Sequence, residues 1–379
     1  MAWTSIKRIY WESVIEWISQ STGFPPGNRI VWQLLRYIGT NASISVALTL
    51  NNAPHPQTNK PARSPANTVQ DIAVIVLNWN SPVDTIACLS SIAEEILRNS
   101  SRCRVRLYPV DNGSQDHSCE QIADWIERHG DLDVCFIQNS HNLGFAGGMN
   151  AGFRAAEIDA PADYYWLLNN DLTLCPGALS ALLDATSTDP SVAVWGPTIV
   201  HLNSDTIQCA GGGRYSRLLG MERKYLRGLP LDKVNCYRHR PTRFDFIYGA
   251  AMFIRGDIIR AHQGLDESYF LYYEELELAR RLGREDRLDW CCESVVSHQG
   301  SDATSRDKGQ RARSSYFAAY SACQYTWRHH RAFLLPMILI RMAGLAVQAL
   351  RETNPELALA PWKAVFAFLS GRTPAPPQA

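Results

Sequence analysis

Four short stretches of this sequence place carboxylates, amides and glycines where chemistry could be done: DNGS at 111–114, NLGFAGGMNAGF at 142–153, LNND at 168–171 and YYEELEL at 272–278. A fifth, SHQGS at 297–301, adds His298. A carboxylate at the tip of a buried strand can accept hydrogen bonds from hydroxyls or hold a hard cation, whose preferred ligands are oxygens. Asp111 and Asp171 are of that kind, although each also fits a local turn or cap. Glycines between a strand and a helix let the backbone approach a ligand and aim helix N-terminal amides at an anion. The glycine stretch lacks the G-x-G-x-x-G dinucleotide fingerprint and follows the third strand of its series, where the fingerprint follows the first. A tight turn with close helix packing would ask for the same residues. Glu274 and Glu275 open a helix, where a carboxylate can act as a general base or simply complement the helix dipole.

These residues need elements to carry them. IAVIVLNWN, ending at Asn80, reads as a buried strand, and Val83 to Leu97 as a helix. VRLYPVDNGS is a strand and turn, Cys119 to His129 a helix, and VCFIQ and YYWLLN are further strands; DWCCESVVS leads into His298. Strands alternating with helices imply a mostly parallel sheet covered on both faces, with ligands at the carboxyl ends of the strands.

Composition bounds the partners. The chain of 379 residues carries 37 basic and 37 acidic side chains, so no charge excess advertises nucleic acid. Its ten cysteines include no C-x-x-C pair, and reduced thiols are expected. Residues 1–50 read as amphipathic helices with Ile6, Tyr10, Val14, Trp17 and Ile18 on one face, suited to packing or to a membrane surface, and Glu12 and Glu16 interrupt any secretory signal. Residues 51–70 are a proline-rich linker, 71–330 the main domain, and 331–379 an amphipathic segment and tail. Within that last region, Pro336 and Arg341 interrupt the apolar run 332–350, and an arginine at the bilayer centre costs ~2.5–3.5 kcal/mol. Attachment to the membrane surface is expected rather than a span, with a plain docking helix as the alternative. SRDKGQRARSS, holding Arg306, Lys308, Arg311 and Arg313, reads as a basic, glycine-containing loop, a pattern usual for a solvated face.

Taken in order, the DNGS, NLGFAGGMNAG, LNND, YYEELEL and SHQGS stretches resemble family-two inverting glycosyltransferases of the GT-A fold, the rhamnosyltransferase-like branch above all, over about residues 71–330. The resemblance implies a nucleotide-diphospho-sugar transferase fold, a mostly parallel sheet flanked by helices, here with N-terminal and C-terminal helical extensions. It implies transfer from a nucleotide-sugar donor, dTDP-rhamnose foremost, to a hydroxyl of a glycan, glycolipid or small-molecule acceptor. Asn80, Asp111, Asn142, Gly147, Gly148, Asn150 and Asn170 match donor-binding positions. Asp171 ends the family's aspartate motif, written here Asn169, Asn170, Asp171, and with His298 it would hold Mg2+ or Mn2+. Glu275 falls on the catalytic base, with glutamate where the family has aspartate; its neighbour Glu274 is the alternative. A sugar-binding relative without turnover stays open on these residues. A cytoplasmic location, free or peripheral on the membrane, is consistent with where nucleotide sugars are made.

Overall fold

The run at 70–78 becomes β1 (Gln70–Asn78), and Ile72 to Val76 are buried on both faces, as befits a strand in the middle of a covered sheet. The computed structural model describes residues 69–239, 241–283, 285–299, 308–342 and 355–372; the expected helices of residues 1–50 and nearly all of the linker lie outside the described residues. β1 pairs in parallel with β2 (Cys103–Asp111) and with β4 (Tyr164–Asn169). Adding β3 (Ile137–Gln138), β11 (Ala251–Arg255), β6 (Val192–His201), β12 (Arg287–His298) and β5 (Leu172–Leu174) gives the order β3-β2-β1-β4-β11-β6-β12-β5, and β7 (Ile207–Ala210) pairs with β6. Only β5, β7 and β11 run against the other strands, so the sheet is mostly parallel, as expected. A separate three-stranded sheet joins β10 (Phe246–Ile247), β8 (Gly212–Ser216) and β9 (Met221–Lys224).

Helices cover both faces. On one lies α1 (Pro82–Asn99), where Thr85, Cys88, Leu89, Ile92 and Ala93 recur at helical spacing and are buried; proline at its first turn suits a helix start. α2 (Ser118–Arg128) and α4 (Ala178–Thr188) complete that layer around Leu89, Trp125, Trp166 and Leu182. Buried Glu95 of α1 accepts the amides of Gly177 and Leu179 at 2.8 and 2.9 Å, so its charge is spent on the N-terminus of α4. On the other face α3 (Gly144–Asp159) packs Met149 and Phe153 with Ile75 and Tyr165, and α5 (Gly256–Ala261) adds Ile258 and Ile259. α6 (Glu274–Arg281), α7 (Lys308–His329) and α8 (Pro355–Leu369) follow, with Tyr269, Tyr273, Tyr325 and Met337 in a third core cluster.

Four expectations need correction. VCFIQ contributes only Ile137–Gln138 as paired strand, beyond a single bridge from Val134 to Leu107, because it lies at the sheet edge, where edge strands run short. Lys308, Arg311 and Arg313 begin the long helix α7 rather than a loop, while Arg306 lies outside the described residues. Cys236 and Cys292 form a disulfide across 56 residues of sequence, with eight other cysteines free among the described residues; spacing alone cannot reveal such a pair. Residues 334–342 are helical and dock on the domain: Met337 and Met342 are buried, and Arg341 donates to the Gly220 carbonyl at 2.7 Å. Residues 343–354 lie outside the described residues, and among the described residues no helix is long and apolar enough to cross a membrane.

Candidate functional site

β1, β2, β4 and β12 all run the same way, so Asn78, Asp111, Asn169 and His298 stand at one end of the sheet. On the β1–β2 side the polar side chains are engaged with one another. Asp111, 1% exposed, accepts from Asn78 Nδ2 at 2.7 Å and from the Ser114 amide, three residues on, at 2.9 Å. Asn80, at φ 52°, accepts from the Gln115 amide at 2.8 Å. Asn142 Oδ1 accepts the Gly144 amide at 2.8 Å and Asn112 Nδ2 at 3.0 Å, placing it over the start of α3. Asn112, not singled out from the sequence, makes four bonds in all: it donates also to the Gly144 carbonyl and accepts from Asn139 and the Leu143 amide.

Three of the residues expected at the donor are also engaged within the fold. A side chain on Gly147 would strike Leu143, and one on Gly148 would strike Leu77 at 2.4 Å, so both glycines serve close packing of α3. Asn150 is 3% exposed: it donates to the Leu265 carbonyl at 2.8 Å and to Glu267 at 2.9 Å, and accepts the Leu265 amide at 2.8 Å. Its amide is consumed in clamping α3 to the turn at 264–267.

The other side of this end differs. Asn170, in the turn after β4, donates to Thr85 Oγ1 at 2.9 Å. Asp171 Oδ1 and His298 Nε2 stand 3.0 Å apart, and His298 Nδ1 meets Gln208 Oε1 at 2.6 Å. Octahedral Mg2+ ligands at ~2.0–2.1 Å and right angles are separated by about 3 Å, so this pair fits two adjacent positions around a hard cation, with Gln208 orienting the ring. No group of three or more His, Cys, Asp or Glu gathers to hold a metal among the described residues, so phosphates and water would have to supply the remaining ligands.

Glu275 is 7% exposed and its Oε2 has no hydrogen-bond partner; Glu274, 4% exposed, likewise has an unpartnered Oε2. Tyr272 and Tyr273 precede them at φ 69° and 75°, the left-handed region, a strained entry to a helix. Burial pushes the Glu275 carboxyl up to about 7, against the pull of backbone amides and of Lys224, and pushes Glu274 well above its ordinary range, with Glu275 adding to the effect. Glu277 is spent: it accepts from Tyr269 at 3.1 Å and meets His329 Nε2 at 2.7 Å, which fastens α6 to α7.

One segment brings the two ends of the site together. The Tyr248 ring lies 6.2 Å from the His298 ring, a side chain at Gly249 would meet the Glu275 carboxyl carbon at 3.3 Å, and the Ala250 carbonyl accepts the Asn169 amide at 2.9 Å. Thus Asp171 with His298 and the free oxygen of Glu275 flank three consecutive residues. The Lys224 ammonium sits 3.6 Å over the Tyr248 ring, its pKa lowered by burial, and Glu222 is pushed up to about 8 by burial and by Glu275. Neither Lys224 nor Glu222, nor Gln208, Tyr248 or Gly249, carries a motif in the sequence.

Residues 73–248 match the protein family described as Glycosyl transferase family 2. The low-salt glycan biosynthesis hexosyltransferase Agl10 of Haloferax volcanii is 25% identical over 224 residues, 58% of this chain and 63% of that protein, so the match spans less than two thirds of the archaeal relative. The N-acetylglucosaminyl-diphospho-decaprenol L-rhamnosyltransferase of Mycobacterium tuberculosis is 26% identical over 259 residues, 63% of this chain and 80% of that protein. Among solved structures, a mannosyltransferase of Pyrobaculum calidifontis in complex with GDP-Man and Mn2+ gives a TM-score of 0.48 at 15% identity, covering 94% of this chain and 92% of that one. GalNAc-T7 with UDP, GalNAc and Mn2+ gives 0.46 at 14%, covering 80% of this chain and 59% of that one.

Proposed function

We propose that this chain, a family 2 glycosyltransferase through its domain at residues 73–248, catalyses inverting, metal-dependent transfer of a sugar from a nucleotide-diphosphate donor to a hydroxyl of a glycan or glycolipid acceptor. dTDP-rhamnose is the favoured donor, supported by the sequence resemblance and by the activity for which the mycobacterial relative is named. The observation that carries the reading is the Tyr248–Ala250 segment, with Asp171 and His298 at one end and the unpartnered Glu275 oxygen at the other.

In this reading Glu275 Oε2 accepts the acceptor hydroxyl's proton as that oxygen attacks the anomeric carbon from the face opposite the diphosphate. The carbon–oxygen bond to the diphosphate breaks, and the electron pair leaves with the nucleoside diphosphate. A carboxyl raised to about 7 suits this role, because a general base works best with a pKa near the operating pH. Asp171 and His298 would hold a divalent cation, which when bound offsets the charge on the leaving diphosphate. The turn around Asp111, Asn112 and Asn142 shapes the base and ribose end, and Asn80 and Asn170 border it.

Peripheral membrane attachment on the cytoplasmic side is part of the proposal, and it draws support from α8 more than from the run at 332–350. Leu359, Trp362, Phe366 and Leu369 are 51 to 65% exposed at helical spacing, with exposed Lys363 and Arg372 beside them, while Ala360, Ala364 and Val365 face the protein.

The test is a thermal-shift screen of nucleoside diphosphates with and without Mn2+, followed by NMR of the product from the best donor. Stabilisation by dTDP that depends on the ion, and a product anomer opposite to the donor, are expected. Retained configuration would overturn the inverting step, and metal-independent binding would overturn the ion.

A further inference from the structure

Away from the transfer site lies a second cleft, of 840 Å³, a volume in the range of small-molecule sites. Its position follows from two elements already described. α6 starts at Glu274 and Glu275 and carries Arg280 into the cleft wall, about 9 Å along the helix axis. β12 ends at His298 and begins at Arg287 to Asp289 in the same wall. The cleft therefore occupies the opposite ends of the elements that carry the proposed base and cation ligand.

The charges in it do not cancel. Arg214, Arg217, Arg243, Arg280 and Arg287 line it against Asp245, Asp286 and Asp289. Asp245 pairs with Arg214 at 3.1 Å and Arg243 at 2.8 Å, and Asp289 pairs with Arg287 at 2.8 Å. Asp286 accepts the Gly283 amide at 2.9 Å. Arg217 and Arg280 make no hydrogen bond or ion pair among the described residues. Both bear on the same imidazole: His330 is pushed down to about 4, first by burial and then by Arg217 and Arg280, so it adds no charge of its own at neutral pH.

The wall also holds aromatic side chains. Tyr215 and Tyr325 meet edge to face at 5.1 Å, and Phe333 is 37% exposed beside them. Flat rings offer the apolar faces of sugars a surface, and guanidinium groups recognise carboxylate and phosphate bidentately.

We infer that this cleft is a second saccharide site, taking an acidic glycan whose carboxylate or phosphate groups pair with Arg217 and Arg280 while a ring lies on Phe333 beside Tyr215. It gives a transferase a hold on the acceptor or product chain remote from the reacting hydroxyl. It needs neither Asp171 nor Glu275, so its test uses binding and not turnover.

The experiment is calorimetric titration of the full chain with trigalacturonate, with a phosphorylated trisaccharide and with maltotriose as the neutral control. Trigalacturonate or the phosphorylated sugar should bind at least about tenfold more tightly than maltotriose, weaken as salt is raised, and lose about tenfold or more in Arg217→Ser/Arg280→Ser. Whichever acidic probe binds more tightly identifies the oxyanion. Both arginines are exposed and unpaired, so the double variant should fold with an unchanged melting temperature and bind nucleoside diphosphate as before. Phe333→Ala should weaken the acidic probe with its salt dependence unchanged. A wild-type chain that binds neither acidic probe, equal binding by maltotriose, or equal affinity in the double variant would overturn the site.

Discussion

The two sides of the sheet's carboxyl end use their buried polar groups in opposite ways. Around the DNGS turn and α3 the groups satisfy one another: Asp111 has a partner on each oxygen, Asn112 makes four bonds and Asn150 three. Around α6 they do not: Glu274 and Glu275 each keep an unpartnered buried oxygen, behind two tyrosines at positive φ. Buried polar atoms in folded proteins are nearly always paired, so the exceptions mark where a ligand must complete the structure. In the proposed reading the first side presents its edge to a donor, and the second takes up a proton.

The sharpest break of this contrast comes from Glu275→Gln, which keeps the shape and removes the basic oxygen. Turnover should fall by ~10²–10⁴ with donor affinity near wild type, while Glu274→Gln should fall much less. Steady-state kinetics beside donor titration checks this; wild-type turnover in Glu275→Gln moves the base elsewhere.

On the scaffold side the loss should be in stability. Asn150→Ala strands the Leu265 amide and carbonyl and should cost about 1–3 kcal/mol in denaturant unfolding, with nucleoside diphosphate affinity little changed. A large loss of donor binding in a folded variant would return Asn150 to the donor site.

The unsatisfied side should show the reverse dependence. Glu275 is raised from an ordinary 4.5 to about 7 in the fold, so it holds its proton more tightly folded than unfolded. Its contribution to stability is full below pH 4.5 and is lost as pH rises through 7. Glu275→Gln should therefore match the wild type in acid and exceed it by up to about 3 kcal/mol at pH 8, measured by chemical denaturation. The smallest effect is expected at Lys224, which lowers the Glu275 carboxyl: Lys224→Met should move the acid limb of the kcat/KM profile to higher pH, and Lys224→Arg should move it less.

What could be read from the sequence follows the same divide. β1, β4 and α1 are legible because their apolar periodicity is local: YYWLLN is β4 residue for residue, and the helix expected at 83–97 is Pro82–Asn99. The strand-end polar residues are legible as a set, but not their directions, because Asn150 finds its partner 115 residues away. On the α6 side the acidic run, Asp171 and His298 could be read, but not the residues that surround them. Gln208 reaches His298 across 90 residues, and Lys224 reaches Tyr248 from a short strand with no periodicity to announce it. Gly309 looks like a loop residue, yet it sits in the first turn of α7 despite its weak helix preference.

The most direct test of the joined site is calorimetric titration of dTDP, with and without Mn2+, on the wild type, Asp171→Ala and Glu275→Gln. The wild type and Glu275→Gln should bind more tightly with the ion and to the same extent, whereas Asp171→Ala should show only the ion-independent affinity with an unchanged fold by circular dichroism. An undiminished metal response in Asp171→Ala would contradict the assignment of Asp171 and His298 as the cation's ligands, and with it the pairing of ion and base across Tyr248–Ala250.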